Sequence, residues 1–187
     1  MTKLIFASGN SDKFNIGTSV LSPFDVELTQ LDLDIDEIQA EDGEKVVRDK
    51  LSKAYEITKS PVLVSDDSWE IEGLKGFPGP YLKSINYWLT VDDLLRLTRD
   101  LDNRTVYLIQ YLAYTDGKTT KVFKQQTKGE LLKEPRGVQN IASQQIMSLE
   151  GSNGKSIAEV FDSDPTFSND NVSKVWRDFA NWFKSNS

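Results

Sequence analysis

The chain has 187 residues, with 22 Lys+Arg against 29 Asp+Glu for a net charge of −7, 38% hydrophobic residues, and neither Cys nor His. Without thiol or imidazole there is no disulfide framework, Cys nucleophile, zinc ribbon, Ser-His-Asp triad or His acid–base pair, and the acidic balance argues against duplex nucleic acid or an anionic membrane surface as the main partner. Catalysis would rest on carboxylates, lysines, hydroxyls, backbone N–H groups and a hard cation such as Mg²⁺, which takes oxygen ligands.

Taken in chain order, Leu4, Ile5 and Phe6 form a short buried strand that ends at Ser8-Gly9-Asn10. The start MTKLIFASGN lacks a long apolar stretch and reads as a first strand, not a signal peptide. No apolar run is long enough to span a membrane, so a cytoplasmic location is expected. Asp12 to Leu21 reads as a helix stopped before Pro23. Residues 26–35 alternate as a half-buried strand with one register shift, Leu31, Leu33 and Ile35 set against Asp32, Asp34 and Asp36. Glu44 to Thr58 is helical, with Val47, Leu51, Ala54 and Tyr55 on one face, and Pro61 to Ser65 is an apolar strand. Residues 66–82 read as a loop punctuated by Gly and Pro. Thr90 starts a helix with Asp93 in a capping-box position. Residues 105–115 and 119–127 form a hairpin turning at Asp116-Gly117, and residues 170–184 close the chain as a helix with Val172, Trp176, Phe179 and Phe183 on one side. This order predicts a single α/β domain over residues 1–187 with a mixed sheet.

Two motifs tempt and fail. Gly151 to Ser156 reads GSNGKS, but a P-loop needs Gly where Leu149 stands, so a surface turn at Asn153-Gly154 is the better account. Asp32, Asp34 and Asp36 imitate an EF-hand, but Glu37 and Gly43 stand where that loop needs Gly and Glu, which leaves the solvated face of an edge strand.

Ser8-Gly9-Asn10 with Lys13, between a strand and a helix, suits a phosphate: Gly permits close backbone approach, the helix start offers N–H groups, and Lys13 adds charge. Asn10 serves equally well as an ordinary N-cap. Ser65-Asp66-Asp67-Ser68 follows PVLV at the end of a strand, where α/β ligands sit, and adjacent carboxylates favour a shared cation or proton. Gly76-Phe77-Pro78-Gly79-Pro80-Tyr81-Leu82-Lys83 is a stiff loop ending in an aromatic and a lysine. Lys128-Gly129-Glu130-Leu131 and Glu134-Pro135-Arg136-Gly137 bracket a short strand and a turn.

In combination, S-G-N-x-x-K, the acidic pair after PVLV, G-F-P-G-P-Y-x-K, G-E-L followed by P-R-G, and Ala158-Glu159 resemble the inosine triphosphate pyrophosphatase family over residues 3–160. The resemblance implies an ITPase-like fold: a mixed, twisted central sheet with flanking helices and a cleft between two lobes, as a homodimer. It implies Mg²⁺-dependent hydrolysis of a nucleoside triphosphate to the monophosphate and pyrophosphate. By position, Ser8, Asn10 and Lys13 would hold phosphates, and Lys83, Lys53 or Lys50, and Arg136 would contact the substrate. Asp66, with Asp67, would activate water, and Glu41 or Glu44 would join Asp66 on the metal.

The chain departs from the family in its base-reading half. Where the family carries an aromatic-Asp-Pro segment it has Val138 to Gln145, where the family carries Ser-His-Arg it has Val172-Ser173-Lys174-Val175, Asn169 stands for a Lys, and Ser65 for an acid. An altered base preference follows, with Gln139, Asn140, Gln144 and Gln145 as new edge contacts. Two other readings stay open: a nucleotide-binding protein without turnover, and an interaction protein using Trp176, Phe179, Trp182 and Phe183 as a partner surface.

Overall fold

The computed structural model describes residues 2–138, 141–164 and 169–186. In chain order the elements are β1 (Thr2–Ala7), α1 (Ser11–Leu21), β2 (Val26–Leu31), α2 (Gly43–Thr58), β3 (Val62–Ile71), β4 (Pro78–Gly79), α3 (Leu82–Trp88), α4 (Val91–Thr98), β5 (Thr105–Thr115), β6 (Thr120–Leu131), α5 (Ala142–Gln145), β7 (Met147–Leu149), α6 (Ile157–Ser163) and α7 (Asp170–Asn186). The strands form one mixed sheet in the order β2-β1-β3-β5-β6-β7, with β4 paired to β3. β1 runs parallel to both β2 and β3, whereas β4 is antiparallel to β3 and β7 to β6. The α/β expectation stands.

The chain divides into two compact units. The first comprises Met1–Asp66, Gln110–Gln125 and Val172–Ser187. Its core is built by α1, α2 and α7. Val47, Leu51 and Ala54 bury one face of α2, and Val172, Trp176 and Phe179 bury one face of α7. Trp176 meets the Phe6 ring edge-on at 5.3 Å, and Tyr114 lies 5.6–5.8 Å from Phe179, Trp182 and Phe183. Trp176 and Phe179 are therefore core residues and are not available to a partner, whereas Trp182 and Phe183 are half-buried.

The hairpin turn forms as its sequence dictates. Asp116 Oδ1 accepts from the N–H groups of Lys118 and Thr119, and Gly117 takes φ +86°. A Cβ on Gly117 would lie 1.9 Å from Tyr55 Oη. Gly117→Ala thus meets both a left-handed backbone and a clash, and should cost about 1–3 kcal/mol. Comparing the cost of Gly117→Ala in the parent chain and in a Tyr55→Ala background by urea midpoints separates the two, because removing the whole ring, whose Cζ would also lie 2.4 Å from the new Cβ, relieves only the clash.

The second unit comprises Asp67–Ile109 and Gln126–Asn171. Thr90 caps α4, its hydroxyl accepting from Asp93 N–H while the Asp93 carboxylate returns a bond to Thr90 N–H, a complete capping box. The Arg104 guanidinium ties the end of α4 to the end of β6 through the carbonyls of Thr98, Leu131 and Leu132. Ser156 caps α6 in a second capping box with Glu159, and its buried hydroxyl donates to Arg136 O. That hydroxyl belongs to a helix cap, and Asn153-Gly154 form the expected turn with φ +53° and +75°.

The caps make stability pH-dependent. Thr90 holds the Asp93 carboxyl, and the N–H groups of Thr119 and then Lys118 hold the Asp116 carboxyl, below the ordinary carboxylate range. Their folded values lie below the unfolded value of about 3.9. Their contribution is therefore complete above roughly pH 4–5 and is lost as pH falls through the folded values. Burial raises Asp12 instead, so its opposing contribution is relieved in acid. Urea midpoints at pH 6 and pH 3 should show a net loss at low pH that Asp93→Asn and Asp116→Asn each reduce.

Four expectations about element bounds need correction. β2 stops at Leu31 rather than residue 35, because its neighbour β1 ends opposite it at Ala7 and leaves no ladder to extend. The Asp32–Asp36 run lies beyond the strand. β3 continues through Ser65-Asp66-Asp67-Ser68 to Ile71, where residues 66–82 had read as loop. Trp69 and Glu70 pair with Gly79 and Pro78, and Trp69 and Ile71 are buried. Lys83 lies in the first turn of α3 and does not end a loop, because a helix begins at Leu82 directly after the Gly/Pro-rich stretch. β6 runs on through Lys128-Gly129-Glu130-Leu131, which is its final turn of ladder and not a separate segment.

Candidate active site

The phosphate-type loop is built by β1 and α1. β1 ends at Ala7, and Asn10 caps α1 by accepting from Lys13 N–H at 2.9 Å. The cap uses Asn10 Oδ1, so its amide NH₂ is the donor left to offer an anion. Ser8 Oγ accepts from Asn10 N–H at 3.2 Å, and Gln30 Nε2 on β2 donates to Ser8 O at 2.9 Å. A Cβ on Gly9 would lie 2.6 Å from Oδ1 of Asp32, an exposed side chain that can swing aside.

β3 lies beside β1 in the sheet, with Ile5 opposite Val62 and Phe6 opposite Leu63, both strands pointing the same way. Phe6 pairs with Leu63, so the Ser8–Asn10 loop beyond the carboxyl end of β1 lies alongside the middle of β3, where Asp66 stands, and β3 itself runs on to Ile71. Asp66 Oδ2 is shielded from solvent, and Ser65 Oγ is buried without a hydrogen-bond partner. Asp66 and Asp67 are consecutive strand residues and so point to opposite faces. They do not converge on one ion or one water.

The upstream acids differ from one another. Glu41 lies in the segment ahead of α2 and is exposed, whereas Asp42 caps α2 by accepting from Glu44 N–H. The Glu44 carboxylate is engaged by Arg48, with Nε at 2.8 Å and NH2 at 2.6 Å. The α2 lysines hold the preceding segment. Lys53 Nζ donates to Asp36 O at 2.6 Å and pairs with Asp49 at 2.7 Å, and Lys50 Nζ pairs with Glu37 at 2.7 Å. Glu37 was read only as the residue that spoils an EF-hand. Nothing local in the sequence marks it, since its partners lie on α2.

In the second unit, Lys83 is exposed on α3, and Arg136 NH1 donates to Gly154 O at 3.3 Å. Gln144 and Gln145 lie on α5, and Gln139 and Asn140 lie outside the described residues. Lys174, where the Ser-His-Arg pattern would stand, pairs with Asp178 on α7.

A hard divalent cation fits this donor set in one particular way. Among the described residues no group of three or more acidic side chains could hold an ion unaided. Mg²⁺ commonly uses one or two carboxylates plus substrate phosphates. Of the candidate acids, Glu44 is neutralised by Arg48, Glu41 is exposed, and Asp66 has one carboxylate oxygen shielded from solvent. No helix among the described residues is long and apolar enough to cross a membrane.

Comparisons with known proteins agree with the architecture. The Ham1 family profile matches residues 4–165. The dITP/XTP pyrophosphatase of Pyrococcus horikoshii is 31% identical over 98% of each chain, and that of Methanopyrus kandleri is 28% identical over 98% of this chain and 97% of its own. The inosine triphosphate pyrophosphatase 1 of Trypanosoma cruzi is 28% identical, covering 87% of this chain and 83% of its own. The solved HAM1 protein of Coxiella burnetii superposes with a TM-score of 0.79 at 18% identity, covering 99% of this chain and 100% of that one. The Staphylococcus aureus Ham1 protein gives 0.78 at 18% identity, covering 100% of both. By profile match and by relatives aligned along nearly their whole length, this chain belongs to the Ham1/ITPase family.

Proposed function

We propose that the chain, acting as one ITPase-like domain, hydrolyses nucleoside triphosphates to monophosphates and pyrophosphate, with a base preference changed from that of its relatives. The observation that carries this reading is the placement of a phosphate-type loop at the carboxyl end of β1, beside the part of the parallel strand β3 that carries the partly shielded carboxylate of Asp66. Ser8, the Asn10 amide, Lys13 and the first N–H groups of α1 hold phosphate oxygens. Lys53, Lys83 and Arg136 supply further positive charge to the substrate, Lys53 by exchanging its hold on Asp36 O for a phosphate.

Asp66 orients a water and takes its proton at a carboxylate oxygen. The water oxygen bonds to phosphorus as the α–β phosphoanhydride bond breaks, and pyrophosphate leaves. A bound Mg²⁺, held by Asp66 and Glu41, supplies neutralisation of phosphate charge. Asp67, on the other face of β3, supports the strand and does not touch the reacting atoms. The base edge meets Gln144 and Gln145 in place of the family's aromatic and acid, and this supports a changed specificity. The resemblance extends the proposal to a homodimer, which light scattering tests.

The direct test is pyrophosphate release with Mg²⁺ across ITP, XTP, dITP, the standard NTPs and dNTPs, and modified bases, with EDTA and Asp66→Asn as controls. Turnover that both controls abolish supports the enzyme. Mg²⁺-dependent binding with no product from any nucleotide favours the binding-protein reading, whose sequence support is Ser65 in place of an acid.

A further inference from the structure

We propose that the outer edge of β6 over residues 120–124 is a docking site for an extended acidic segment of another protein, which joins the sheet there as an added strand. The direction of each backbone group follows from the hairpin. Asp116 N–H donates to Thr119 O at one end of the β5–β6 ladder, and Leu131 N–H donates to Arg104 O at the other. The two strands therefore keep one register, and the odd-numbered residues of β6 turn their N–H and C=O groups to β5. The even-numbered residues turn theirs outward, as Lys128 O shows by accepting from Glu150 N–H at 2.9 Å. β7 covers that side of β6 only over Gly129–Leu131. Among the described residues no other strand lies there, so no strand pairs with the outward groups of Thr120, Val122 and Lys124.

Charge decides the occupant. Residues 117–129 hold Lys118, Lys121, Lys124 and Lys128 and no Asp or Glu, in a chain whose net charge is −7. Lys118, Lys121 and Lys124 are exposed. The Lys121 ammonium lies 5.9 Å from the centre of the Phe123 ring and that of Lys124 lies 5.4 Å from the centre of the Tyr111 ring. Among the described residues neither is engaged by a carboxylate. Side chains alternate between the faces of a strand, so Lys121 and Lys124 flank the open row from opposite faces. Lysines on an edge strand repel unwanted neighbours, and here they repel a second copy, because antiparallel pairing of two β6 edges sets one lysine row against the other. The same charges attract an acidic strand. The backbone row selects a peptide over a polyphosphate or a nucleic acid, since a strand matches its alternating N–H and C=O groups whereas phosphate oxygens would face the carbonyls.

The test is fluorescence anisotropy with a short labelled peptide of alternating Glu and Val, beside a Lys/Val peptide and an oligothymidylate, together with amide hydrogen exchange followed by NMR on the full chain. Expected is binding of the Glu/Val peptide alone, weakening as salt is added. Exchange should slow at Thr120, Val122 and Lys124, whose N–H groups face outward, and stay unchanged at Lys121 and Phe123, which already bond to β5. Val122→Pro removes one outward N–H and leaves the β5 ladder whole. Lys121→Glu/Lys124→Glu reverses the charge on both faces. Each should weaken Glu/Val binding about tenfold, and the charge variant should admit the Lys/Val peptide. Thermal midpoints are measured on the same samples, and if proline lowers the midpoint the charge variant decides. No binding of the Glu/Val peptide, binding that the charge variant leaves intact, or oligothymidylate bound as tightly overturns the proposal. Self-association in sedimentation that Val122→Pro abolishes also overturns it, because a second copy then holds the edge.

Discussion

Asp66→Asn should reduce pyrophosphate release by about 10²–10⁴-fold while leaving the thermal midpoint near that of the parent chain. Loss of a positioned general base commonly costs that much. Asn keeps the shape of Asp but cannot take a proton and is a poor ligand for a hard cation. Asp67→Asn is the informative partner. Both residues are acidic and adjacent, and sequence alone offers either as the base. On β3 they face opposite ways. Asp67→Asn should therefore change the rate by less than about tenfold, or ~1.4 kcal/mol of barrier. Initial rates of the two variants on the best nucleotide of the panel decide the matter. Equal losses would mean that β3 is read wrongly at this point, or that both carboxylates act through the strand's own geometry.

The largest effect on stability is expected from Trp176→Ala. The indole is 3% exposed, meets Phe6 edge-on, and rests on Gly17 of α1. Removing a buried Trp typically costs about 3–5 kcal/mol, which for a chain of this size lowers the thermal midpoint by roughly 6–20 °C. The contact with Gly17 supplies a sharper test. A Cβ on Gly17 would lie 2.7 Å from two ring carbons of Trp176 and 3.0 Å from a Leu28 methyl. In the parent chain Gly17→Ala gains about 1 kcal/mol of helix propensity but forces a rigid ring to move, and overpacking of that kind costs about 1–3 kcal/mol. With Trp176 already Ala, the clash is gone and the same substitution should stabilise. A change of sign between the two backgrounds, measured by urea denaturation, would locate the interaction in that single contact. The same sign in both backgrounds would mean that α1 and α7 pack differently there.

What the sequence disclosed, and what it withheld, follows the range of the interactions involved. The α4 cap was legible because Thr90 and Asp93 are three residues apart and complete their box between themselves. The hairpin was legible because Asp116 and Gly117 carry its turn chemistry. α2 and α7 were legible from the spacing of Val47, Leu51 and Ala54 and of Val172, Trp176 and Phe179. The continuation of β3 was not, because Ser65-Asp66-Asp67-Ser68 are poor strand formers, and the residues beyond them, Trp69 and Glu70, are fixed by pairing with Gly79 and Pro78, a contact the local sequence does not announce. The end of β2 was hidden for the same kind of reason, since it depends on where β1 stops. In the site, the Ser8–Lys13 loop and Asp66 were legible as motifs. The commitments of Lys50 to Glu37, Lys53 to Asp36 and Glu44 to Arg48 were not all visible. Only the last is a local spacing, four residues apart on one helix, and the other two join α2 to a segment thirteen or more residues away. The family's base-reading positions are the least legible, because there this chain has replaced the marker residues.

β2 is the outermost strand at its end of the sheet, and its outer row of backbone N–H and C=O groups is the natural template for a strand from another molecule. A visiting strand would have to pass Glu27 and then Asp32, Asp34 and Asp36, on a chain that already carries −7 overall. Long-range repulsion of that kind is screened by salt, with a range of about 8 Å at physiological ionic strength. The acidic run that imitates a calcium loop thus adds negative charge just beyond the end of an edge strand. The chain's colloidal behaviour should accordingly worsen in concentrated salt or at pH near its isoelectric point, before any loss of fold.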